Sequence, residues 1–511
     1  MLTNIFCARC IGIKAIPVTV EVDMTAGVGI HLVGLADTAV KESLLRIISA
    51  LQSMGYRIPG KKIVINLAPA DIKKKGSIYD LPIAMGIIAA SGQEYLPASG
   101  RYLMAGELGL DGSVRDVPGA LPMVELASGL GMKGCILPEN SALETIGYGD
   151  VPVYGVRNIS DVIQIVSGNG GTDLSVSGRN IQESAGSTTT DTDFADITGQ
   201  EGAKRGLEVA AAGGHNVIMI GAPGSGKSTL AKALAGILPP MDTMEAIQTS
   251  KIYSVAGKGN PSGGLITKRP FRSPHYSTSL PAMIGGGSDF IMPGEISLAH
   301  NGVLFLDEFP EASKRVIEAL RCPMEDRKVT ISRLRTKIEY PASFMFVAAA
   351  NPCPCGYFGE GDRCSCSPAR RAAYMSKLSG PLMDRMDIHL WLHPVDPHKL
   401  MKKEPSEPSS RIAERVSAAR EIQKARFAGE GIFCNAEMDI RLTKIHCRLS
   451  PECSNFLGDM AGKMGFSARA CSKILKIARS IADLAGEKEI GIPHLSEAAG
   501  FRFLDKKDAV F

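Results

Sequence analysis

The chain has 511 residues, 44% hydrophobic and 22% charged, which is room for about three or four domains and excludes a disordered chain. Lys and Arg total 57 against 53 Asp and Glu, a net charge of +4, so a nucleic-acid partner has to be met by a local basic patch and not by an overall field. No stretch approaches the roughly 18 apolar residues of a membrane span, and residues 1–14 lack the pattern of a secretory signal; the expectation is a cytoplasmic protein with no membrane partner, its cysteines reduced or metal-bound.

Residues 1–166 read as a first unit, α+β or α/β, without a phosphate loop. Residues 18–22 alternate like a half-buried strand, and 61–67 read as another. Residues 37–54 carry Val40, Leu44, Ile47, Ile48 and Leu51 at helical spacing, and 79–90 read as a mostly buried helix. Cys7 and Cys10 form a lone C-x-x-C, a weak sign of metal. Residues 167–193, rich in Gly, Ser, Thr, Asn and Asp, read as a flexible linker.

A second unit spans 194–396. Residues 200–212 have helical spacing, and the apolar run 216–220 predicts a buried strand. Gly221, Ala222, Pro223, Gly224, Ser225, Gly226, Lys227 and Ser228 then fill every fixed position of G-x-x-x-x-G-K-[ST]. Thr229 opens a run of strong helix formers, so the loop sits between strand and helix, the context the motif requires. Its glycines let backbone N–H groups wrap a phosphate, and the helix start adds its positive end. Lys227 can reach the terminal phosphates of ATP, and the Ser228 hydroxyl can ligate Mg²⁺. A Gly- and Pro-rich stretch covers 257–294. Four apolar residues at 303–306 then end in Asp307 and Glu308; Asp307 can hold Mg²⁺ through water, and Glu308 can orient or deprotonate the attacking water. Residues 345–350 predict a third buried strand, ending in Asn351, which can bond the γ-phosphate or the attacking water, or simply close the strand.

Cys353, Cys355, Cys364 and Cys366 follow with spacing C-x-C-x8-C-x-C. Four cysteines among prolines and glycines suggest a Cys₄ zinc knuckle, against four free thiols. Between 314 and 337 lie eight basic residues; 329–333 and 336–340 can pair as a hairpin with Arg333 and Arg335 at its tip and Lys337 beside it. Such a tip suits a phosphate backbone, or else a solvated face or subunit contact. A third unit, 397–511, reads as helices at 411–428, 451–465, 468–485 and 493–500, with Ser450 and Ser467 as N-caps and Pro451 at a first helical position.

The loop at 221–228, Leu304-Phe-Leu-Asp-Glu308, Asn351-Pro-Cys-Pro-Cys-Gly356 and Leu382-Met-Asp-Arg-Met-Asp387 together resemble the magnesium-chelatase-like AAA+ ATPases, and within these the YifB/ComM group. The resemblance covers nearly the whole chain, including Arg269-Pro-Phe-Arg-Ser-Pro-His275. It implies a multidomain α/β fold: an N-terminal ribosomal S5 domain 2-like (Lon protease-like) α+β domain, an AAA+ P-loop NTPase core and a C-terminal helical lid. It implies that Arg385 is an arginine finger serving a neighbouring subunit, hence a homo-oligomer, a hexamer. Arg469 would be the second sensor and Asn351 the first, Ile197 and Gln200 would border the adenine, and the hairpin would be a pore-lining DNA contact. The group is associated with DNA branch migration during uptake of foreign DNA. The implied function is therefore an ATP-driven DNA helicase or branch-migration translocase; a chelatase-type or chaperone-like remodelling ATPase is the alternative. In the first unit Asp80 stands where a Lon-type serine would, and no lysine partner falls near 117–121. That excludes proteolysis of the Ser–Lys kind and leaves Ser77 as a residual candidate.

Overall fold

Val18, Val20, Val22 and Met24 point inward along Lys14–Thr25, giving a strand (β2) with one covered face. The computed structural model describes residues 2–35, 37–168, 171–177, 192–287, 291–333, 336–360, 363–378, 380–394 and 406–505. In it β2 pairs antiparallel with β1 (Leu2–Ile11) and β4 (Lys62–Ala68), and β3 (Gly29–Val33) pairs parallel with β4. Three short strands, β5 (Tyr102–Met104), β6 (Gly134–Pro138) and β7 (Val153–Val156), continue the sheet in the order β3-β4-β2-β1-β5-β6-β7. Helices α1 (Thr38–Ser53) and α2 (Asp80–Ser91) contribute to this unit's core; Asp37 caps α1 by accepting from the Val40 N–H, and α2 is buried on nearly every side. Within the stretch read as linker, residues 171–177 pack on the first unit: Ser175 bridges Tyr154, Val176 is buried, and Ser177 Oγ accepts from the Val153 N–H at 2.9 Å. Residues 178–191 of that stretch lie outside the described residues.

The second unit is built on five parallel strands: β8 (Val217–Gly221), β9 (Phe271–Arg272), β10 (Val303–Leu306), β13 (Met345–Ala350) and β14 (Ile388–Leu392), in the order β9-β10-β13-β8-β14; an antiparallel hairpin, β11 (Lys328–Arg333) and β12 (Thr336–Pro341), interrupts the chain between β10 and β13. Both faces are covered, so these strands read as continuous apolar runs. Val217, Met219, Val303, Phe305, Val347 and Ala349 face one core, and Ile218, Ile220, Leu304, Leu306, Phe346 and Ala348 the other. This is a mixed α/β fold with a parallel sheet core of the kind a P-loop AAA+ domain has. β9 lies inside the Gly- and Pro-rich stretch, which also holds a short helix, α7 (Leu280–Ile284).

The first unit docks through α3 (Ala120–Gly129) onto α6 (Thr243–Val255): the Gly119 N–H donates to Ser254 O at 2.9 Å, and Lys251 pairs with Glu125 at 2.6 Å. Helices α4 (Glu201–Gly213) and α5 (Lys227–Ile237) share a core with the C-terminal helices α8 (Ser409–Arg426), α9 (Ile440–His446), α10 (Pro451–Met464), α11 (Ala468–Leu484) and α12 (Ile492–Gly500). Ser450 and Ser467 cap α10 and α11 with their side chains, and Pro451 takes the first helical position. No helix among the described residues is long and apolar enough to cross a membrane.

Candidate nucleotide site

The loop at 221–228 joins β8 to α5 at the carboxyl edge of the parallel sheet, where open α/β folds place ligands. Gly224 and Gly226 have φ of 79° and 92°, a left-handed backbone that glycine adopts without a Cβ clash. Gly226 is the N-cap of α5, and no side chain caps the helix. The first N–H groups of α5 have no acceptor within the helix, so its start is a ready anion cradle. Ser225 Oγ is buried there with no hydrogen-bond partner among the described residues. Pro223 and Thr229 are exposed, Ala222 buried. Lys227 is buried, its ammonium donating to Gly221 O at 2.7 Å, Ala222 O at 2.9 Å and Asn351 Oδ1 at 3.2 Å. Burial lowers its pKa, and the nearby Asp307 and Glu308 oppose that.

Ser228 Oγ donates to Asp307 Oδ2 at 2.6 Å, which brings together the two residues expected at Mg²⁺. These oxygens, a phosphate cradle and a lysine fit Mg·ATP. Glu308 is exposed, and its backbone is left-handed, φ 48°; a non-glycine residue there is uncommon and costs about 1–3 kcal/mol, a feature that gathers at functional sites. Asp307 Oδ1 accepts from the Glu308 N–H at 2.9 Å and so holds this turn. Gln200, also left-handed, donates to Ser225 O at 3.2 Å and His393 O at 2.6 Å, tying the loop to the end of β14. Ile197 is buried near it, its carbonyl accepting from Lys204 and Ser406.

The four cysteines gather directly after β13. Cys353 Sγ lies 3.3 Å from Cys355 Sγ and 3.8 Å from Cys364 Sγ; Cys355 and Cys364 are 3.7 Å apart, and all four sulfurs lie within 4.8 Å of one another. A hydrogen bond from the Tyr357 backbone, then one from the Cys353 thiol, pulls the Cys355 pKa down to about 6. Cys7 and Cys10 carry thiols whose pKa burial pushes up to about 12, which disfavours the thiolate a metal needs.

Arg385 and Arg469 do not join the phosphate loop. Asn216, at the amino end of β8, donates through Nδ2 to Arg385 O at 3.1 Å, and its N–H donates to Asp387 Oδ2 at 2.9 Å. The length of β8, about 17 Å at ~3.3 Å per residue, separates that end from the loop. Arg385 is mostly covered, donating to Pro381 O at 2.6 Å and pairing with Glu325 at 2.5 Å. Arg469, at the first turn of α11, donates to Asp384 Oδ2 at 2.8 Å. The Lys473–Asp387 ion pair at 2.7 Å ties α11 to the same segment. Sequence reasoning missed Glu325, Asp384 and Lys473 as partners of these groups; the acids Asp384 and Asp387 on either side of Arg385 were the one available signal.

The basic hairpin forms as expected, with Arg333 paired to Thr336 across the strands. Arg333 and Lys337 are exposed; Arg335 lies outside the described residues. Lys328 and Lys337 both pair with Glu339. The middle of the hairpin meets the β1–β2 turn of the first unit, where Gly12 packs on Ile338.

In the first unit Ser77 Oγ donates to Glu107, and Asp80 is fully buried, accepting from Arg46 Nε at 3.0 Å and the Leu108 N–H at 3.3 Å. Burial, only partly opposed by Arg46, raises the Asp80 pKa to about 6. A carboxyl raised above its unfolded value favours folding below the unfolded pKa and loses that contribution as pH rises through about 6, on the order of 3 kcal/mol. Asp80→Asn is therefore expected to melt at a higher temperature than the native chain at pH 7, the gap closing toward pH 4. A variant less stable at pH 7 would show that the Arg46 pair outweighs the burial cost.

Three family models match: magnesium chelatase subunit ChlI over residues 193–400, subunit ChlI of Mg-chelatase over 20–141, and the C-terminal part of subunit ChlI over 406–502. The YifB protein of Salmonella typhimurium is 41% identical over 501 residues, covering 97% of this chain and 96% of the relative. The competence protein ComM of Haemophilus influenzae is 40% identical over 508 residues, 98% of this chain and 97% of the relative. The magnesium-chelatase 38 kDa subunit of Rhodobacter capsulatus is 27% identical over 178 residues, 31% of this chain and 50% of the relative. The chain belongs to the magnesium-chelatase-like family of AAA+ ATPases, with the YifB and ComM proteins.

Proposed function

We propose that the protein is an ATP-hydrolysing ring motor that moves along or remodels DNA, a helicase or branch-migration translocase in recombination or natural transformation. Its parts are an S5-like, protease-inactive N-terminal domain (1–166), a linker (167–193), an AAA+ core (194–396) and a helical lid (397–511). The observation that carries the reading is the placement of Arg385 and Arg469 a strand's length from their own phosphate loop. Within one protomer both guanidiniums are engaged away from that loop, with Glu325 and Asp384, whereas a head-to-tail ring, here a hexamer, carries one protomer's arginines to the next protomer's nucleotide.

With Mg·ATP bound, Ser228 and Asp307 hold the cation, Lys227 turns from its loop carbonyls to the phosphates, and Glu308 orients the attacking water. Asn351 senses the terminal phosphate, and Ile197 and Gln200 border the base. The cation supplies charge neutralisation between the phosphates. The four cysteines hold zinc. Arg333, Arg335 and Lys337 line the pore and touch the DNA backbone, which the relative's name, a competence protein, supports.

ATPase rate with and without forked DNA, alongside the mass of the nucleotide-bound assembly, tests this. Arg333→Ala with Lys337→Ala is expected to retain the DNA-free rate and to lose most of the DNA stimulation, with a shallower salt dependence of binding. Hydrolysis indifferent to forked and single-stranded DNA in the native chain would favour a chelatase-type or chaperone-like remodelling ATPase.

A further inference from the structure

We propose that zinc held by Cys353, Cys355, Cys364 and Cys366 makes the cysteine loop a brace for the phosphate loop, so that the grip on nucleotide depends on zinc. The inference rests on reading 221–228 as the nucleotide site.

The ligand set fits first. A tetrahedral zinc with Zn–S bonds of about 2.3 Å sets its sulfurs about 3.8 Å apart; three of the separations are 3.3, 3.7 and 3.8 Å, at or below that value, and all four sulfurs lie within 4.8 Å of one another. Four thiolates in this geometry select zinc over the hard cations that suit carboxylates. Cys353 and Cys366 are buried, so two of the ligands face inward. Arg371 holds the far side of the loop, donating to Cys366 O at 3.1 Å and stacking 4.2 Å from the centre of the Phe358 ring.

The loop then touches the nucleotide site at two places and β14 at a third. Gly356, next to Cys355, has φ of 87° and lies so close to Pro223 that a Cβ would come within 2.7 Å of the proline ring. Pro223 is the exposed crest of the phosphate loop. Asn351, two residues before Cys353, accepts from the Lys227 ammonium at 3.2 Å. On the other side, a Cβ on Gly359 would sit 3.5 Å from the ring of Trp391, on β14 beside Ile220. The loop thus runs from the tip of β13 across the crest to β14. It is rich in proline and glycine and has little apolar content of its own to hold that path; a metal cross-link supplies the rigidity.

Trp391 is the chain's one tryptophan, so its emission reports on this contact directly. Protein purified without chelator is expected to hold about one zinc per chain by elemental analysis. Stripping it with phenanthroline, with Mg²⁺ kept in excess, should shift Trp391 emission and weaken binding of a fluorescent ATP analogue about tenfold; readded zinc should restore both. Cys355→Ser with Cys364→Ser should reproduce the stripped state with its far-UV circular dichroism intact. Lys227→Ala should bind nucleotide poorly yet keep its zinc and the zinc-dependent emission. Undiminished nucleotide binding in that variant would overturn the site the brace is said to serve, whatever the metal result. Zinc-free or iron-bearing native protein would overturn the metal assignment. Zinc that leaves without changing emission or nucleotide affinity would overturn the brace.

Discussion

Glu308→Gln is expected to bind Mg·ATP like the native chain and to hydrolyse it about 10²- to 10⁴-fold more slowly, the range over which a positioned general base acts. The substitution keeps size and hydrogen-bonding reach and removes only the charge. The residues proposed to bind nucleotide and cation lie elsewhere: Lys227, bonded to the loop carbonyls and Asn351, and Ser228, bonded to Asp307. The Glu308 turn is held by the Asp307 carboxylate on the backbone N–H, which the substitution does not touch. Nucleotide affinity measured by fluorescence and phosphate release measured in the same samples check this. Hydrolysis near the native rate would move the water-orienting role to another residue, with Asn351 the first to examine. Affinity lost together with hydrolysis would mean that Glu308 holds the cation.

The phosphate-loop half of the candidate site is legible in the sequence because each part is local. Gly221 to Ser228 is a contiguous pattern, β8 and β10 are apolar runs long enough to read, and Asp307 and Glu308 sit at a strand end. The shorter strands are harder. β9 is two residues long inside a Gly- and Pro-rich stretch, and β5, β6 and β7 are short, fully or mostly buried runs that carry no alternation. Helix α9 spans only seven residues, too few for periodicity to stand out. The cysteine spacing marks a cluster, but nothing local says that Gly356 lands on Pro223; that follows from β13 lying beside β8 in the sheet. The Arg385–Glu325 and Arg469–Asp384 pairs are likewise long-range, 60 and 85 residues apart in sequence.

Arg385→Ala is expected to lower hydrolysis by about 10³-fold or more while leaving ATP affinity nearly unchanged, as the loss of an arginine finger does. The expectation follows from position. Arg385 lies at the amino end of β8, held in its own chain by Glu325 and the Pro381 carbonyl, with Nε buried and without a hydrogen-bond partner among the described residues. In the proposed ring this guanidinium would serve the phosphate site of the neighbouring protomer. Mixing makes the point testable. Arg385→Ala keeps its phosphate loop and lacks the finger; Lys227→Ala keeps the finger and lacks the grip. Each alone should be nearly silent. In a ring assembled from equal parts, roughly a quarter of the head-to-tail interfaces pair an intact Lys227 with an intact neighbouring Arg385, so activity should reappear on mixing and scale with the proportion of the two. A mixture as silent as its components, in particles whose mass shows that both variants co-assemble, would place Arg385 in the service of its own chain and remove the reason for a ring.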